Sequence, residues 1–440
     1  MSVNALGHQG ITRRSFLVGG ASLGAAAALG VSIAGTPFGA TRHTIAFWHL
    51  FGGGDGARMT AMLAQLHKQQ PNLDIRSLIL PWGNPYYTKL SIAAVGGSPP
   101  DVAISHATRL VEFAPAGLLE PFDPAQLERH GIGPDKFIDK AWKLGTFNGK
   151  QYAIPLDTHP FVLYYNTKLA KQAGLLDAKG VLRDMSGQSA LLDAFEAVKR
   201  KTDATGLIME TRGVTPWRLF LTLYTQLGGR PVVSADGTEL TMEDDKALRA
   251  LEWMAEPHKR GAGGQDVDYQ ASVALFGNQT AGFLLNGEWE VTTYQAQKLP
   301  FDMRPVPVIF DHPANQADSH TFVIPRKAGR SPEELDRALA FIAGLVKQSL
   351  TWAEGGHVPS WQPVAQSEAY KKLTPQSNYA AAADAAVYDP PAWYSGSGSD
   401  FEINMSSAVA GVEAGQLTPA GAIAQVRSKL SALADAPSPV

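Results

Sequence analysis

Strand-like and helix-like segments alternate from residue 44 onward, and that order restricts the chain to few folds. Thr44-Ile45-Ala46-Phe47-Trp48 is a short apolar run bounded by turn residues, the mark of a buried strand. A Gly52-Gly53-Gly54-Asp55-Gly56 loop follows. Met59, Met62, Leu63 and Leu66 then recur at helical spacing, and Pro71 ends that helix. Residues 73–80 read as a second strand, 86–95 as a second helix closed by Gly96-Gly97, 101–105 as a third strand and 110–114 as a short helix. A β-α-β-α-β order of this kind predicts an α/β lobe with a largely parallel sheet.

A second α/β region is expected beyond it. Residues 161–165, 281–285, 303–309 and 321–324 read as strands. Helices are expected over 167–173, 191–202, 216–227 and 244–258. Ser331-Pro332-Glu333-Glu334 is a helix start, with Ser331 as N-cap and Pro332 at the first helical position, and that helix runs to about residue 348. Residues 351–440 read as mostly helical, broken by a loop over 389–399. At 45% hydrophobic and 18% charged residues, the composition is that of a folded chain of two or more domains.

The first forty residues predict where the protein works. Thr12-Arg13-Arg14-Ser15-Phe16-Leu17 places paired arginines ahead of a stretch rich in Ala and Gly, residues 17–34. This is the order of a twin-arginine export signal, with Ser32-Ile33-Ala34 as a small-x-small cleavage site. The Gly and Ala content favours a removed signal over a retained anchor. An exported protein sees no ready supply of ATP or NAD(P)H. The chain has no Cys, which removes disulfides, thiolate metal sites, catalytic thiols and the lipid-acceptor Cys of an exported lipoprotein. Formal net charge is −3, and loss of the signal takes away Arg13 and Arg14 but no acid. No nucleic-acid partner is expected from that balance.

Catalytic spacings are missing. There is no Gly-x-Ser-x-Gly elbow, no His-Glu-x-x-His zinc helix, no phosphate-binding loop and no calcium loop. Neither cofactor nor metal is expected. What the sequence offers is a scatter of aromatic and hydrogen-bonding residues at predicted strand ends, where open parallel sheets bind ligands. These are residues 49–53, 82–86, 105–106 and 286–289. Aromatic faces beside amide, carboxylate and imidazole groups suit a neutral polyhydroxylated ligand, whose C–H face packs on a ring while its hydroxyls take directional bonds. Each residue also has a structural reading. Trp48 fits a buried strand, His49 and His106 can serve backbone groups, Glu288 suits a helix start, and Trp217 fits core or site equally.

Several stretches in order resemble the family 1 extracellular solute-binding proteins of ABC importers, the group that includes maltose-binding and glycerol-3-phosphate-binding proteins. They are residues 82–90 (Trp, then Tyr-Tyr-Thr-Lys-Leu), Gly97-Ser98-Pro99-Pro100-Asp101-Val102, residues 113–121 and Gly149-Lys150-Gln151-Tyr152-Ala153-Ile154-Pro155. Tyr164-Tyr165-Asn166, residues 283–289 and residues 355–360 complete the set. The resemblance implies an α/β, two-lobe periplasmic-binding-protein-like fold with a hinge and an interlobe cleft. It implies crossings near 149–157, 305–309 and 350–356. The export signal would occupy 1–40, lobe one 43–153 plus 308–350, and lobe two 154–307 plus 351–440.

Carried over to this chain, the resemblance puts His49, Phe51, Gly53, Trp82, Ser105 and His106 on the first lobe's wall. Asp157 and His159 lie past the hinge, and Trp217, Asn286, Glu288, Trp289, His357 and Trp393 line the second lobe. It implies a non-enzymatic, monomeric receptor in the periplasm or at the cell surface, which passes a mono- or oligosaccharide to an ABC permease. A phosphorylated polyol held by residues 52–56 with Arg109 or Arg218 is the first alternative. An exported glycoside hydrolase with Asp157 and Glu288 as its carboxylate pair is the second.

Overall fold

The computed structural model describes residues 43–438. The expected export signal lies outside the described residues. Two separate sheets organise the chain. The first is five-stranded. His43–His49 pairs in parallel with Leu73–Ile79 on one side and Val102–His106 on the other. His320–Val323 then pairs antiparallel with Val102–His106, and Ile154–Pro155 closes the edge. The parallel strands follow the predicted alternation, with helices Gly53–Gln69 and Asn84–Val95 as crossovers. Helix Gly53–Gln69 buries Met59, Met62 and Leu66 against Phe47, Ile104 and Phe341 in the first lobe's core.

The glycine run is not a free loop. Residues 53–56 form the first turn of helix Gly53–Gln69. Gly53 sits at φ +51, which an L side chain adopts only with strain.

The second sheet is built around one long strand, Asp157–Asn166, in which every residue is buried. It pairs antiparallel with Ala281–Gly287, Phe301–Pro305 and Asn315–Asp318, and at its start with Val358–Pro359. Thr205–Ile208 and Ala386–Val387 complete the sheet as parallel edges. Helices Ala190–Lys201, Thr215–Gln226 and Asp244–Lys259 cover it, joined by Asp400–Glu413, which packs on both of the latter two. Helix Pro332–Val346 starts as expected, with a complete Ser331–Glu334 capping box.

Strand pairing keeps the first expected crossing within 149–157 and moves the return. The first lies at Leu156, because Ile154–Pro155 still pairs in the first sheet. The return is not at 305–309. Asn315–Asp318 pairs in the second sheet and His320–Val323 in the first, so the chain changes sheets at Ser319. The third passage runs close to the expected 350–356. Trp352 belongs to the first lobe's core, whereas Val358 pairs on the second sheet's long strand and belongs to that lobe's core. The chain touches the first core once more at Trp361 before Tyr379 and Ala382 join the second. No helix among the described residues is long and apolar enough to cross a membrane.

Candidate functional site

A cleft of about 670 Å3 opens where the first sheet's strand ends face the second lobe. That volume falls within the range of small-molecule sites, about 300–1,000 Å3. Its two walls come from different elements. Leu50, Phe51, Gly52, Gly53, Gly54, Asp55 and Trp82 form one wall. The other carries Glu210, Thr215, Arg218, Tyr269, Gln270, Trp289, Glu290 and Thr293. His106, His159 and His320 form the floor between them.

Trp82 follows strand Leu73–Ile79 and is 39% exposed, high for an indole. Its Nε1 donates to Ser397 Oγ at 3.2 Å, and Asn84 Nδ2 donates to Asp400 Oδ1 at 2.8 Å. The rim of the first lobe is thereby tied to residues 397–400 of the second.

Trp289 is held on three sides. Its Nε1 donates to the Tyr269 hydroxyl at 2.6 Å, and that hydroxyl donates to Glu290 Oε1 at 2.5 Å. The Arg218 guanidinium lies 5.4 Å from the ring centroid. Gly287 allows the ring to lie over the backbone, since a Cβ there would overlap Trp289's six-membered ring. Arg218 is itself paired, with Nε 2.9 Å from Glu402 Oε1; Glu402 is buried and Arg218 keeps a small edge open to the cleft. Glu210 spends Oε2 on the Val214 and Thr215 amides and the Thr215 hydroxyl, fixing the start of helix Thr215–Gln226.

The floor is a packed set of imidazoles. Ring centroids of His159 and His320 are 4.2 Å apart, and His106 lies 4.8 Å from His320. Each ring has its Nδ1 engaged behind the cleft. His159 meets Asp157 Oδ1 at 3.0 Å, His320 meets Asp157 Oδ2 at 2.8 Å, and His106 meets the Tyr87 hydroxyl at 2.6 Å. Burial, with His320 close by, pulls His159 down to about 3, so its ring is neutral.

Behind the floor lies a buried polar cluster. Burial alone would raise Asp157, but His320, His159 and His357 outweigh it and hold the carboxyl well below the usual range. Burial opposes charge on His357 as well, yet Asp55 and Asp157 hold its proton on well above the usual value. Burial pushes Glu288 up to about 7, against the pull of His357. Asp157, His159, His320 and His357 are the described residues that could hold a metal ion.

Of the expected site residues, Phe51, Gly53, Trp82, His106, His159 and Trp289 border the cleft. Eight do not. His49 is spent on Ser77 Oγ and the Phe51 amide, and burial lowers it to about 4. Ser105 bonds the His106 carbonyl within the strand. Asp157, Glu288 and His357 sit fully buried behind the floor. Asn286 turns back to the Gly287 amide. Trp217 is a core residue, its Nε1 on Asp389 Oδ1 at 2.8 Å and its ring against Phe220 and Phe401. Trp393 packs on the second lobe's core beside Tyr394.

Sequence reading missed Glu210, Tyr269, Gln270, Glu290, Thr293 and His320 as lining residues, and had Arg218 and the 52–56 segment with Asp55 only as anion contacts of the alternative. Asp268, the N-cap of helix Tyr269–Gly277, was the one local signal that Tyr269 and Gln270 sit at a helix start. His320 had none, since its place depends on a partner strand more than 200 residues away in sequence.

Residues 53–347 match the family model described as "Bacterial extracellular solute-binding protein". Among curated relatives, the chain is 22% identical over 305 residues to the maltodextrin-binding protein MdxE of Bacillus subtilis, covering 66% of each chain. It is 25% identical over 297 residues to the diacetylchitobiose binding protein DasA of Streptomyces coelicolor, covering 66% of this chain and 63% of the relative. The matches thus span just under two thirds of these relatives' lengths. The GacH receptor of Streptomyces glaucescens, solved unliganded and with acarbose, superposes with a TM-score of 0.75 at 21% identity, over 88% of this chain and 98% of that one. A likeness of that kind establishes the fold, two α/β lobes with a cleft between them.

Proposed function

The chain belongs to the bacterial extracellular solute-binding protein family, and from that premise we propose that it captures a neutral mono- or oligosaccharide in the interlobe cleft. One observation carries the reading. Two indoles, Trp82 from the first wall and Trp289 from the second, border a single cleft with hydrogen-bonding groups between them. A sugar ring offers C–H faces to such rings and hydroxyls to Tyr269, Gln270, Glu290, Thr293 and the floor imidazoles. Relatives named for maltodextrin and diacetylchitobiose binding support the ligand class.

The protein acts as a receptor. Its ligand bridges both walls and so stabilises the closed arrangement, in which Trp82 meets Ser397. A membrane permease of an ABC importer then takes the ligand. The paired arginines at 13 and 14 support export to the periplasm or cell surface, and the receptor works as a monomer.

The alternatives fit the site less well. A phosphorylated polyol needs a free cation, but Arg218 is committed to Glu402. Arg109 lies away from the cleft, paired with Glu112 at 2.5 Å and stacked over Tyr87. The first turn of helix Gly53–Gln69 already holds its own carboxylate, Asp55. A hydrolase needs two carboxylates beside the substrate, and Asp157 and Glu288 are buried behind the imidazoles.

A thermal-shift screen of sugars, polyols and their phosphate esters tests the proposal. A true ligand at a hundredfold over Kd adds about 2.7 kcal/mol of stability. No response from any uncharged sugar would sink the reading. A response confined to phosphate esters and weakened by salt would replace it with the polyol alternative.

A further inference from the structure

The buried cluster made of two floor imidazoles and the residues behind them has the make-up of a metal centre. Asp157, His159, His320 and His357 bring four donor atoms within 4.8 Å of one another, and all four side chains are buried. The three Nδ1 atoms converge on one carboxylate. His159 Nδ1 lies 3.0 Å from Asp157 Oδ1, while His320 Nδ1 and His357 Nδ1 lie 2.8 and 3.3 Å from Oδ2. A tetrahedral ion with bonds of about 2.0–2.1 Å needs donors about 3.3 Å apart, so the imidazole-to-carboxylate spacings suit its edges, and donor pairs nearer the 4.8 Å limit would draw in on binding.

We propose that Asp157, His159, His320 and His357 form a site for one divalent transition-metal ion of the zinc, nickel or copper class.

Hydrogen bonding among the four residues leaves the cluster incompletely satisfied. Glu288 Oε2 is buried without a hydrogen-bond partner, and His357 Nδ1 has only a poorly aligned 2.9 Å contact to Glu288 Oε1 besides Asp157. A buried polar atom left unpaired is destabilising, because it has given up its hydrogen bonds to water. An ion among the donors would use the His357 nitrogen as a ligand and face it with a net negative surround.

The outer shell is already of the kind that orients metal ligands. The other nitrogen of His357, Nε2, meets Asp55 Oδ1 at 2.9 Å, and the ring stacks on Trp352 with centroids 4.4 Å apart. Trp352 Nε1 donates to Asp157 Oδ2 at 2.6 Å. A carboxylate on the far side of a ligating imidazole fixes its orientation and raises its basicity. Three imidazoles with one carboxylate select borderline d-block ions over magnesium or calcium, which prefer all-oxygen sites.

The ligands also sit where an ion would have structural leverage. Asp157 and His159 open the long strand of the second sheet, His320 opens the returning strand of the first, and His357 precedes Val358–Pro359. An ion here pins the hinge segments together, independently of what the cleft holds. Only Asp157 and His159 lie close in sequence, and that single pair is no local metal motif, so the set was not legible along the chain.

The test uses the mature chain without a polyhistidine tag, stripped with chelator and desalted. Titration with zinc, nickel or copper chloride in a calorimeter should reveal one ion per chain and a raised melting temperature, with no response to magnesium. His320→Gln and His357→Gln should each weaken binding by at least the roughly hundredfold that loss of an outer-shell partner can cost. His258→Gln and His312→Gln, away from the cluster, should bind as the parent does. Should the cluster variants fail to fold, cobalt chloride on the parent protein decides, since four-coordinate cobalt gives intense visible bands. Absence of stoichiometric binding, binding that survives in both cluster variants, or only the weak bands of six-coordinate cobalt would each overturn the site. Sugar responses are read separately, so failure of the metal site and failure of the sugar reading stay distinguishable.

Discussion

The two walls of the cleft are built from different materials. On the first, Phe51 and the glycines bring backbone and an apolar ring to the edge, and Trp82 stands at the rim with 39% of its surface open. On the second, Trp289 is braced by Tyr269, Glu290 and Arg218, and Arg218 is braced in turn by buried Glu402. The first wall offers a surface to rest on. The second offers fixed directional groups whose positions depend on one another. Affinity contributed by the first should therefore be tolerant of ligand shape, and selectivity should come from the second.

The sharpest way to break this contrast is to remove one arginine from each side. Arg218→Met strands the buried Glu402 charge and should cost about 3–5 kcal/mol of unfolding free energy. Arg58→Met removes a half-exposed pair with Glu354 and should cost about 0–1 kcal/mol. Urea denaturation of both variants reads the difference. Equal losses would mean that the second wall is no more interlocked than the first.

The indoles give a smaller contrast. Trp289→Ala should weaken sugar binding by about 2–4 kcal/mol, as expected for a central, fixed anchor. Trp82→Ala should cost about 1–2 kcal/mol, as expected for a rim residue. Calorimetric titration with a sugar found in the thermal screen measures both. A larger loss at Trp82 would reverse the assignment of anchor and rim.

A pH-dependent effect lies deeper in the second lobe. Glu413 is buried in helix Asp400–Glu413, and its Oε2 has no partner. Burial pushes its carboxyl well above the usual range. The folded protein thus keeps a proton that the unfolded chain loses near its ordinary value of about 4.3, and stability from this group falls as pH rises above that value. Glu413→Gln removes the titration. Its advantage over the parent should grow from about pH 5 to about pH 8 and reach about 1–3 kcal/mol. An advantage that stays flat with pH would show that Glu413 is ionised in the folded state.

Much of the scaffold could be read along the chain. Helices over 167–173 and 244–259, and the capped start at Ser331, depend on local periodicity and on side chains one turn apart. The return crossing could not be read so. Residues 303–309 look like a single strand, but the pairing ends at Pro305, and only the partner strands place the change of sheet at Ser319. The candidate site was partly legible, through indoles and imidazoles near strand ends. Trp217 and Arg218 show the limit. They are neighbours in one helical turn, and the indole looked the better ligand surface. Packing against Phe220 and Phe401 buries the tryptophan, and the helical rotation to the next residue turns the arginine to the cleft.

The sequence by itself determined the family, the α/β alternation and the supply of aromatic and imidazole groups, because these follow from composition and from contacts within a few residues. Only the tertiary structure decided which rings face the cleft, that Asp157 and Glu288 lie behind it, and that residues 157, 159, 320 and 357 meet at one point. Those outcomes depend on strand register between segments far apart in sequence, where a one-residue shift turns every side chain to the opposite face.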